Sequence, residues 1–492
     1  MPDMNNTKNH ILLVVHTNSY FTGLLPLAKL LNRSPIHEPI FLFTRYYPTL
    51  PIDLGICQKE LIAIILGRQA VRELKFEPRP DEADPQKGSK LVKRIRRYLR
   101  YLKSPSDLVA VLLDRIFGGT LTGETFRLAW IIKSIRKIIR QEKISLLVLP
   151  ADNRYDQAAY VKAAHLERRG AVVIPQFMAS HLEWAEYVWD QKPYKVEGFF
   201  NKLAARRFPN WVLDYKGRKL LAQSGIQILA REGLGIAPPL PWILHSGHAD
   251  AIAVESQAVQ QYCLDEGLPS KILVVTGSVS LDVIFETSTK QRINKTELCR
   301  LIAEDVRKPI ILSALPPDSI YMGRPECDFQ VYDELVDYWC KSISSITKFL
   351  HIVCLHPSVT YEEMKHIESY GLKISPLPTM EVIGLCDLFV ASISSTIQWA
   401  IACGIPVLNY DVYRYRYTDY QGLGGVITTE EQDEFLKYLD LMTSNDTFRS
   451  RMISAQRESS KKWGNLDGKS GDRLQDLFLS VMARYSNEDI NA

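Results

Sequence analysis

Two short polar segments in the second half of the chain combine residue types that bind phosphate. His356-Pro357-Ser358 follows the apolar run Leu350–Leu355, and Ser392–Thr396 follows the apolar run Leu388–Ala391. We interpret both runs as buried strands of a parallel sheet. Serine hydroxyls and free backbone N–H groups at the start of a helix donate hydrogen bonds to phosphate, and a histidine at a strand end adds a donor. The alternative is that the serines only cap a helix and the histidine only closes a turn.

The predicted phosphate contacts are His356 and Pro357 from the first segment and Ser394, Ser395 and Thr396 from the second. The proline fixes the turn after the histidine. The hydroxyl cluster comes just before a helix that we predict over Ser394–Cys403, so one serine can cap it. The two segments occur in this order with one short βα unit between them, which is more specific than either segment alone.

Three further residues are candidates for the rest of a nucleotide. Ser313 ends the apolar run Pro309–Ser313 and is predicted to meet the phosphates from the neighbouring strand. Pro378 and Thr379 end a Pro-rich segment that begins at Ser375, which we expect to line the nucleotide base. The alternative for this segment is an ordinary Pro-rich turn.

The first half of the chain offers candidates for a catalytic base. Asp152 follows a predicted strand over Ile144–Leu149, while His181 and Glu183 follow another over Ala171–Pro175. Sugar transfer with inversion needs a carboxylate or imidazole to accept the proton of the acceptor hydroxyl. We name Asp152, His181 and Glu183 as the candidate bases and His16 as a further candidate. Each could equally be a polar loop residue without a chemical role.

Two strongly charged segments have open interpretations. Lys90–Lys103 is predicted to be a basic amphipathic helix, which either binds anionic lipid headgroups or packs its apolar stripe on the protein. Asp411–Tyr420 contains Arg414 and Arg416 among tyrosines, and these arginines either bind an anion or belong to a packed loop.

The elements that position these residues form two successive βαβ series. Such series imply parallel sheets with right-handed crossovers, and ligands bind beyond the carboxyl ends of their strands. We therefore predict the α/β class with two Rossmann-like domains facing across a cleft. The expected domains are 1–285, with a basic helical insertion near 87–103; 308–450, which binds the nucleotide; and C-terminal helices over 451–492, which could pack back on the first domain. Residues 184–250 are expected to form helices and long loops.

The ordered pair of motifs resembles the C-terminal domain of GT-B glycosyltransferases over residues 309–425. It is most similar to the branch with CDP-glycerol glycerophosphotransferases, bacterial sialyltransferases and capsule-type transferases, whose HP and SS motifs hold the donor phosphate. The resemblance implies that role for His356-Pro357 and Ser394-Ser395. The segment CDLFVASISSTIQWAIACGIPVLNYDVYRYRY (386–417) also resembles a block of UDP-N-acetylglucosamine 2-epimerases.

The chain departs from these families at two places. The epimerases carry acidic residues on the helix after the cluster, whereas Thr396-Ile397-Gln398-Trp399 has none, which argues against epimerase chemistry. The sialyltransferases carry a D/E-D/E-G motif that supplies the base. Asp265-Glu266-Gly267 matches it in letters, but we interpret it as a helix end with a glycine cap.

Composition excludes several other classes of protein. The net charge is +4 over 492 residues, which disfavours a general nucleic-acid binder. No run of 18 apolar residues occurs, so we expect no transmembrane helix, and the polar first ten residues do not resemble a signal peptide. The eight cysteines form no C-x-x-C pair, so we expect reduced thiols, no metal site and a cytoplasmic protein.

The sequence thus predicts a metal-independent glycosyltransferase of surface polysaccharide biosynthesis. Its donor would be a CMP-, CDP- or UDP-activated sugar or polyol phosphate, with no other cofactor, and its acceptor a glycan or lipid-linked molecule. The basic helix would hold the enzyme at the inner face of an anionic membrane. The alternatives are a non-hydrolysing UDP-sugar 2-epimerase and an inactive scaffold of the same fold that binds a nucleotide or glycan.

Overall fold

The computed structural model describes residues 8–67, 69–70, 119–154, 156–176, 178, 180–290, 294–302, 304, 308–320 and 326–488. The basic segment Lys90–Lys103 lies outside these ranges, so its predicted helix stays a prediction. The chain divides into two compact units. The first comprises Met1–Ala253, Glu266–Val274 and Gln475–Ala492, and the second comprises Val254–Asp265 and Val275–Leu474.

The described strands, in chain order, are β1 Asn9–Val15, β2 His37–Phe43, β3 Ala63–Leu66, β4 Ile144–Leu149, β5 Gly170–Val173, β6 Val212–Tyr215, β7 Arg218–Leu221, β8 Ala251–Val254, β9 Leu273–Val275, β10 Ile310–Ala314, β11 Leu350–Cys354, β12 Lys373–Ile374, β13 Leu388–Ala391, β14 Val407–Tyr410 and β15 Val426–Thr429. The described helices are α1 Asn18–Arg33, α2 Leu50–Lys59, α3 Leu121–Gln141, α4 Gln157–Leu166, α5 His181–Val188, α6 Gly198–Arg207, α7 Gly225–Gly233, α8 Gln257–Asp265, α9 Val279–Lys290, α10 Lys295–Leu301, α11 Tyr332–Ser344, α12 Tyr361–Met364, α13 Thr379–Val382, α14 Ile397–Ala402, α15 Gln432–Ser444, α16 Asp446–Trp463 and α17 Ser470–Glu488.

The first unit is built on a seven-stranded sheet with the order β3-β2-β1-β4-β5-β8-β9. The pairs from β3 through β8 are parallel. The central strands are buried, as their near-continuous apolar sequences require: every residue of Ile11–Val15 and of Leu146–Leu149 is fully inaccessible to solvent. The order of the strands changes direction at the centre of the sheet. Strands β2 and β3 extend to one side of β1, whereas β4, β5, β8 and β9 follow on its other side.

The second unit contains a six-stranded parallel sheet with the order β12-β11-β10-β13-β14-β15. Numbered from its own first strand, this order is the 3-2-1-4-5-6 of a dinucleotide-binding fold, and the direction of winding changes between β10 and β13. One side of the sheet is covered by stacked aromatic rings. The ring centroids of Tyr410 and Phe435 are 4.7 Å apart, and Trp339 stacks on both.

The predicted α/β class with two Rossmann-like domains is confirmed. The prediction was less accurate within residues 184–250, where the structure adds a β-hairpin of β6 and β7 to the expected helices. Its two-residue turn is Lys216-Gly217, and both residues have positive φ, at 47° and 73°. Such a turn matches the twist of the strands it joins, and a Lys-Gly pair is a weaker signal for it than Asn-Gly.

The end of helix α17 packs on the sheet of the first unit. Tyr485 donates a hydrogen bond from its hydroxyl to Asp250, at 2.7 Å, and the other carboxylate oxygen of Asp250 accepts one from the N–H of Ala171, also at 2.7 Å. Gly170, where β5 begins, lies against the same helix. A Cβ atom at this position would come within 2.4 Å of Cγ1 of Val481 and 3.2 Å of Cδ1 of Leu146.

We therefore expect Gly170→Ala to lower the free energy of unfolding by about 1–3 kcal/mol, because the added methyl group overpacks this contact. The measurement is urea unfolding of the full chain. Gly55→Ala is the matched control, since nothing lies within 4 Å of a Cβ atom there and the residue is in the middle of α2. That control should be stabilised by about 0.5–1 kcal/mol. Equal stability of the two variants would contradict the packing of α17 on β5.

Candidate functional site

The loops that carry the predicted phosphate contacts leave the same edge of the second sheet. Strand β10 pairs with β11 on one side and β13 on the other, with Ala314 opposite Cys354 and Ser313 opposite Val390. Neighbouring strands lie about 4.8 Å apart, so the loops after β11 and β13 begin roughly 10 Å apart with the β10 loop between them. This is the edge where the winding of the sheet changes direction, which is where open α/β sheets bind ligands.

The loop after β13 has a strained and well-anchored backbone. Ile393 adopts a left-handed conformation with φ of 47°, which is rare for a β-branched residue. Its N–H donates to Oδ1 of Asn409 at 2.8 Å, and the amide of Asn409 donates in turn to the hydroxyl of Thr428 at 3.2 Å. Asn409 is buried at the end of β14. Asn409 is not among the residues that the sequence analysis singled out, because its contact with Ile393 joins two different strands.

The hydroxyl groups of this loop are partly ordered by each other. The Ser394 and Thr396 hydroxyl oxygens are 2.7 Å apart, and the N–H of Thr396 donates to Oγ of Ser394 at 3.3 Å. Ser395 is exposed, and the backbone N–H groups of Ser394 and Ser395 bond to no described residue. Ser392 is buried, and its hydroxyl has no partner among the described residues. The loop thus presents several neutral donors to one small region.

Helix α14 begins three residues later than predicted. The N–H groups of Ile397, Gln398 and Trp399 bond to the carbonyls three residues before them, at 3.1–3.2 Å, which forms a tight first turn. These three amides are therefore engaged in the turn, and the available donors of the loop are the serine groups that precede it.

The loop after β11 holds His356 in a defined protonation state. The N–H of Ser358 donates to Nδ1 of His356 at 3.1 Å, and the hydroxyl of Ser358 lies 2.7 Å from the same nitrogen. Since Nδ1 accepts a hydrogen bond, the neutral ring carries its proton on Nε2. Burial lowers the pKa of His356 to about 4, so the ring is neutral at pH 7. His356 therefore offers a neutral N–H donor, and Pro357 after it is exposed.

The remaining predicted nucleotide contacts have different surroundings. Ser313 is completely buried, and its hydroxyl accepts a hydrogen bond from the indole N–H of Trp339 at 2.7 Å. It therefore points into the layer between sheet and helix. Pro378 is exposed and Thr379, which begins α13, is partly exposed, in the loop after β12. This loop is held by Ser375, whose hydroxyl donates to the carbonyl of Leu377 at 2.8 Å.

The arginines after β14 are already paired. Arg414 lies 2.8 Å from a carboxylate oxygen of Glu431, and Nε of Arg416 lies 2.9 Å from one of Glu430. Asp411 organises the loop by accepting the N–H groups of Tyr415 and Arg416, at 3.0 and 2.6 Å. The charges of both arginines are thus balanced inside the second unit.

A carboxylate that sequence reasoning did not single out is Glu255, which follows β8 and belongs to the second unit. It accepts hydrogen bonds from the Ser278 hydroxyl at 2.5 Å and from the indole N–H of Trp399 at 3.1 Å. Burial raises the pKa of this carboxyl, and these two bonds partly offset the effect. Trp399 lies one turn after Ser395, so Glu255 stabilises the helix that follows the hydroxyl cluster. The only sequence signal was its position after a strand.

Of the predicted bases in the first unit, Asp152 is bound on both oxygens. It is buried after β4, where it accepts the N–H groups of Gly247 at 2.8 Å and Ala249 at 3.2 Å. Burial raises the pKa of Asp152 to about 6, against the effect of these two bonds. The side chain therefore connects the loop after β4 to the segment that leads into β8.

His181 and Glu183 share the first turn of α5. Glu183 is buried and forms a reciprocal capping box with Ser180, which fixes the start of the helix. His181 is more accessible, with 38% of its side chain exposed, and its Nδ1 lies 2.9 Å from Oε2 of Glu266. The same oxygen accepts the backbone N–H of His181 at 2.7 Å. The structure thus brings together a predicted base and the middle residue of Asp265-Glu266-Gly267.

His16, after β1, is enclosed by aromatic rings. It stacks on Tyr160 with ring centroids 5.8 Å apart, and its Nδ1 contacts the Thr44 hydroxyl. Burial lowers the pKa of His16 to about 3, an effect that Arg45 adds to and Asp156 opposes. A histidine with such a low pKa is a weak base at neutral pH.

His16 should therefore make the stability of the fold pH-dependent. Its pKa is lower in the folded than in the unfolded chain, so between about pH 6.5 and pH 3 the unfolded state binds a proton that the folded state excludes. From pH 7 to pH 5 the wild type should lose about 2 kcal/mol more unfolding free energy than His16→Gln. Urea unfolding at the two pH values measures this difference. Parallel losses in both proteins would mean that His16 is protonated in the fold.

No protein-family model matches the chain, and no curated protein is similar to it in sequence. Solved structures match over nearly its full length. A putative UDP-N-acetylglucosamine 2-epimerase from Listeria monocytogenes is 13% identical, with 95% of each chain covered and a TM-score of 0.50. A UDP-GlcNAc 2-epimerase from Neisseria meningitidis, bound to UDP-GlcNAc, is 12% identical, with 96% of this chain and all of that one covered and a TM-score of 0.50.

A third similar structure is the glycotransferase of kitacinnamycin, at 10% identity and a TM-score of 0.50, with 95% of this chain and 99% of that one covered. At these identities the likeness establishes the fold: the chain has the GT-B-like fold that these epimerases and this glycosyltransferase share. Separately, none of the helices described here is long and apolar enough to cross a membrane.

Proposed function

We propose that the protein is a glycosyltransferase that moves a sugar, or a polyol phosphate, from a nucleotide-activated donor to a glycan or lipid-linked acceptor in surface polysaccharide biosynthesis. The observation that carries the proposal is the set of neutral donors at one edge of the second sheet: His356 from one loop, and the hydroxyl and N–H groups of Ser394 and Ser395 from another. Supporting it, the chain has the fold of nucleotide-sugar enzymes, and one similar structure is bound to UDP-GlcNAc.

Neutral donors suit the leaving group of this reaction. As the sugar departs, negative charge grows on the terminal phosphate of the nucleotide, and fixed donors that already point at it are stabilising without reorganisation. Contacts that tighten as that charge develops lower the barrier as well as binding the donor. The HP and SS motifs favour a CMP- or CDP-activated donor, with UDP next. Pro378 and Thr379, in the loop after β12, are our candidates to line the base.

For the base that accepts the proton of the acceptor hydroxyl, we favour His181 over Asp152 and Glu183. Both oxygens of Asp152 bind backbone N–H groups, and Glu183 is used in a capping box. His181 instead directs Nδ1 to the carboxylate of Glu266. In the neutral ring, a proton on Nδ1 that is donated to Glu266 leaves the lone pair on Nε2, which can then accept the proton of the acceptor hydroxyl.

The first prediction that follows from this proposed function concerns nucleotide binding. In a thermal-shift panel of CMP, CDP, UDP, GDP and ADP, one pyrimidine nucleotide should stabilise the wild type by about 2.7 kcal/mol at a hundredfold excess over Kd. His356→Ala removes a hydrogen bond to a charged group, worth about 1.5–3 kcal/mol, and should bind at least tenfold more weakly. His366→Ala, which alters an exposed histidine of the same unit, is the control and should bind like the wild type. No shift with any nucleotide would refute the phosphate site.

The second prediction concerns the base. His181→Gln should lower the rate of nucleotide release from the matching activated donor by about 10²–10⁴-fold, with a membrane fraction as acceptor, because the proton acceptor is lost. Its nucleotide-induced thermal shift should equal that of the wild type. His248→Gln, which changes another exposed histidine of the first unit, should keep full activity. Nucleotide binding without release from any donor by the wild type would indicate an inactive scaffold.

The alternative function is an epimerase, because two of the similar structures are named as UDP-N-acetylglucosamine 2-epimerases. Helix α14 carries no carboxylate in its first turn, which argues against it. Incubation with UDP-GlcNAc alone separates the two functions. An epimerase converts this nucleotide sugar into its isomer without an acceptor, which proton NMR detects, whereas the proposed transferase leaves it unchanged.

A further inference from the structure

Helix α6 (Gly198–Arg207) in the first unit exposes a cluster of large apolar side chains. Phe199 is 75% exposed, Leu203 41% and Phe200 38%. The two phenylalanine rings meet edge to face, with centroids 5.4 Å apart. Single exposed apolar residues are common on protein surfaces, but three on one ten-residue helix are a coherent patch.

The opposite side of this helix is fixed to the protein. Ala204 is fully buried in a small core around Trp211. The amide of Asn201 donates to the carbonyls of Pro193 and Lys195, at 3.0 and 2.7 Å, and its oxygen accepts the N–H of Gly225 at 2.7 Å. The helix is therefore held by its inner face, and its outer face is presented in a fixed orientation.

Basic side chains border the apolar patch. At about 100° per residue, Phe199 and Leu203 lie at the middle of the exposed face, with Lys202 and Arg206 on one side and Arg207 on the other. All three basic residues are exposed, and none forms an ion pair with a residue that the structure describes. The helix itself contains no acidic residue. Arg206 and Arg207 complement the helix C-terminus, but Lys202 and Arg206, four residues apart, repel each other.

We propose that this surface, formed by Phe199, Phe200, Lys202, Leu203, Arg206 and Arg207, docks on an anionic lipid bilayer. Aromatic and aliphatic side chains enter the boundary between headgroups and acyl chains, while flanking cations bind the headgroup phosphates. A soluble polyanion would satisfy the cations and leave the phenylalanines in water. A neutral protein partner would cover the phenylalanines and leave three cations unpaired. An anionic bilayer satisfies both halves of the surface. The proposal does not depend on the transferase activity.

The test is co-sedimentation of the full chain with large vesicles. The wild type should bind vesicles of phosphatidylcholine with about 30% phosphatidylglycerol, and only weakly those of phosphatidylcholine alone. The double variant Phe199→Ser/Leu203→Ser should bind the anionic vesicles at least about tenfold more weakly. Ile52→Ser is the matched control: it removes a 57% exposed apolar side chain from α2 and should bind like the wild type.

A second double variant tests the basic residues of α6. Both double variants keep the basic segment Lys90–Lys103, so any loss of vesicle binding comes from α6 and not from that segment. Arg206→Gln/Arg207→Gln should weaken binding at low salt and leave a smaller salt dependence than the wild type has. Thermal melting checks that each variant is folded. Wild-type affinity for the vesicles in both double variants would overturn the proposal. It would also be overturned if light scattering showed that the wild type self-associates and that Phe199→Ser/Leu203→Ser does not, because a second copy would then cover the surface. Nucleotide binding should be the same in all these proteins, so failure here is distinct from failure of the phosphate site.

Discussion

The hydrogen bonding of parallel strands is the constraint on which the rest of this structure depends. Each strand can pair with parallel neighbours only if the chain returns to the same starting edge, so every strand delivers its carboxyl end to the opposite edge. In the second unit this brings the loop at 355–358 and the loop at 392–396 beside the same central strand, although residues 359–391 lie between them in the chain. Every residue of β11, β13 and β14 is buried, and the polar side chains that we propose as phosphate contacts lie in the loops that follow β11 and β13.

Several charged side chains next to the proposed phosphate contacts are engaged in structural contacts, and the groups that we propose as ligand contacts are neutral. Arg414 and Arg416 are neutralised by carboxylates of the same unit, and Glu255 accepts hydrogen bonds from Ser278 and Trp399. This edge of the sheet carries directional hydrogen-bond donors: an imidazole with its proton on Nε2, two backbone amides and serine hydroxyls. Such donors are worth more when a bound phosphate gains charge than when it is merely present. That difference is what distinguishes catalysis from simple retention of a nucleotide.

The sequence predicted the elements well where a strand is buried on both faces. Ile144–Leu149 and Leu388–Ala391 have the predicted bounds, because an apolar run between polar residues leaves little freedom. Side-chain direction was harder to predict. Ser313 ends an apolar run, but alternation along β10 turns it towards Trp339 and away from the loop. Local sequence patterns could not predict contacts between residues that are far apart in the chain. Glu266 contacts His181, 85 residues before it, and Asn409 accepts a hydrogen bond from Ile393, which follows a different strand.

The small core around Trp211 connects two helices to which we assign separate functions. Helix α5 contributes Ala185 and Val188 to this core, and helix α6 contributes Ala204. The first helix begins at His181, our candidate base, and the second carries the surface that we assign to a bilayer. Both are thus fixed to one packed module of the first unit. A lipid-linked acceptor stays at the membrane surface, so an enzyme that deprotonates its hydroxyl gains by binding that surface rigidly. Because close-packed interiors transmit strain, the docking that we propose for α6 would also restrain the helix that carries our candidate base.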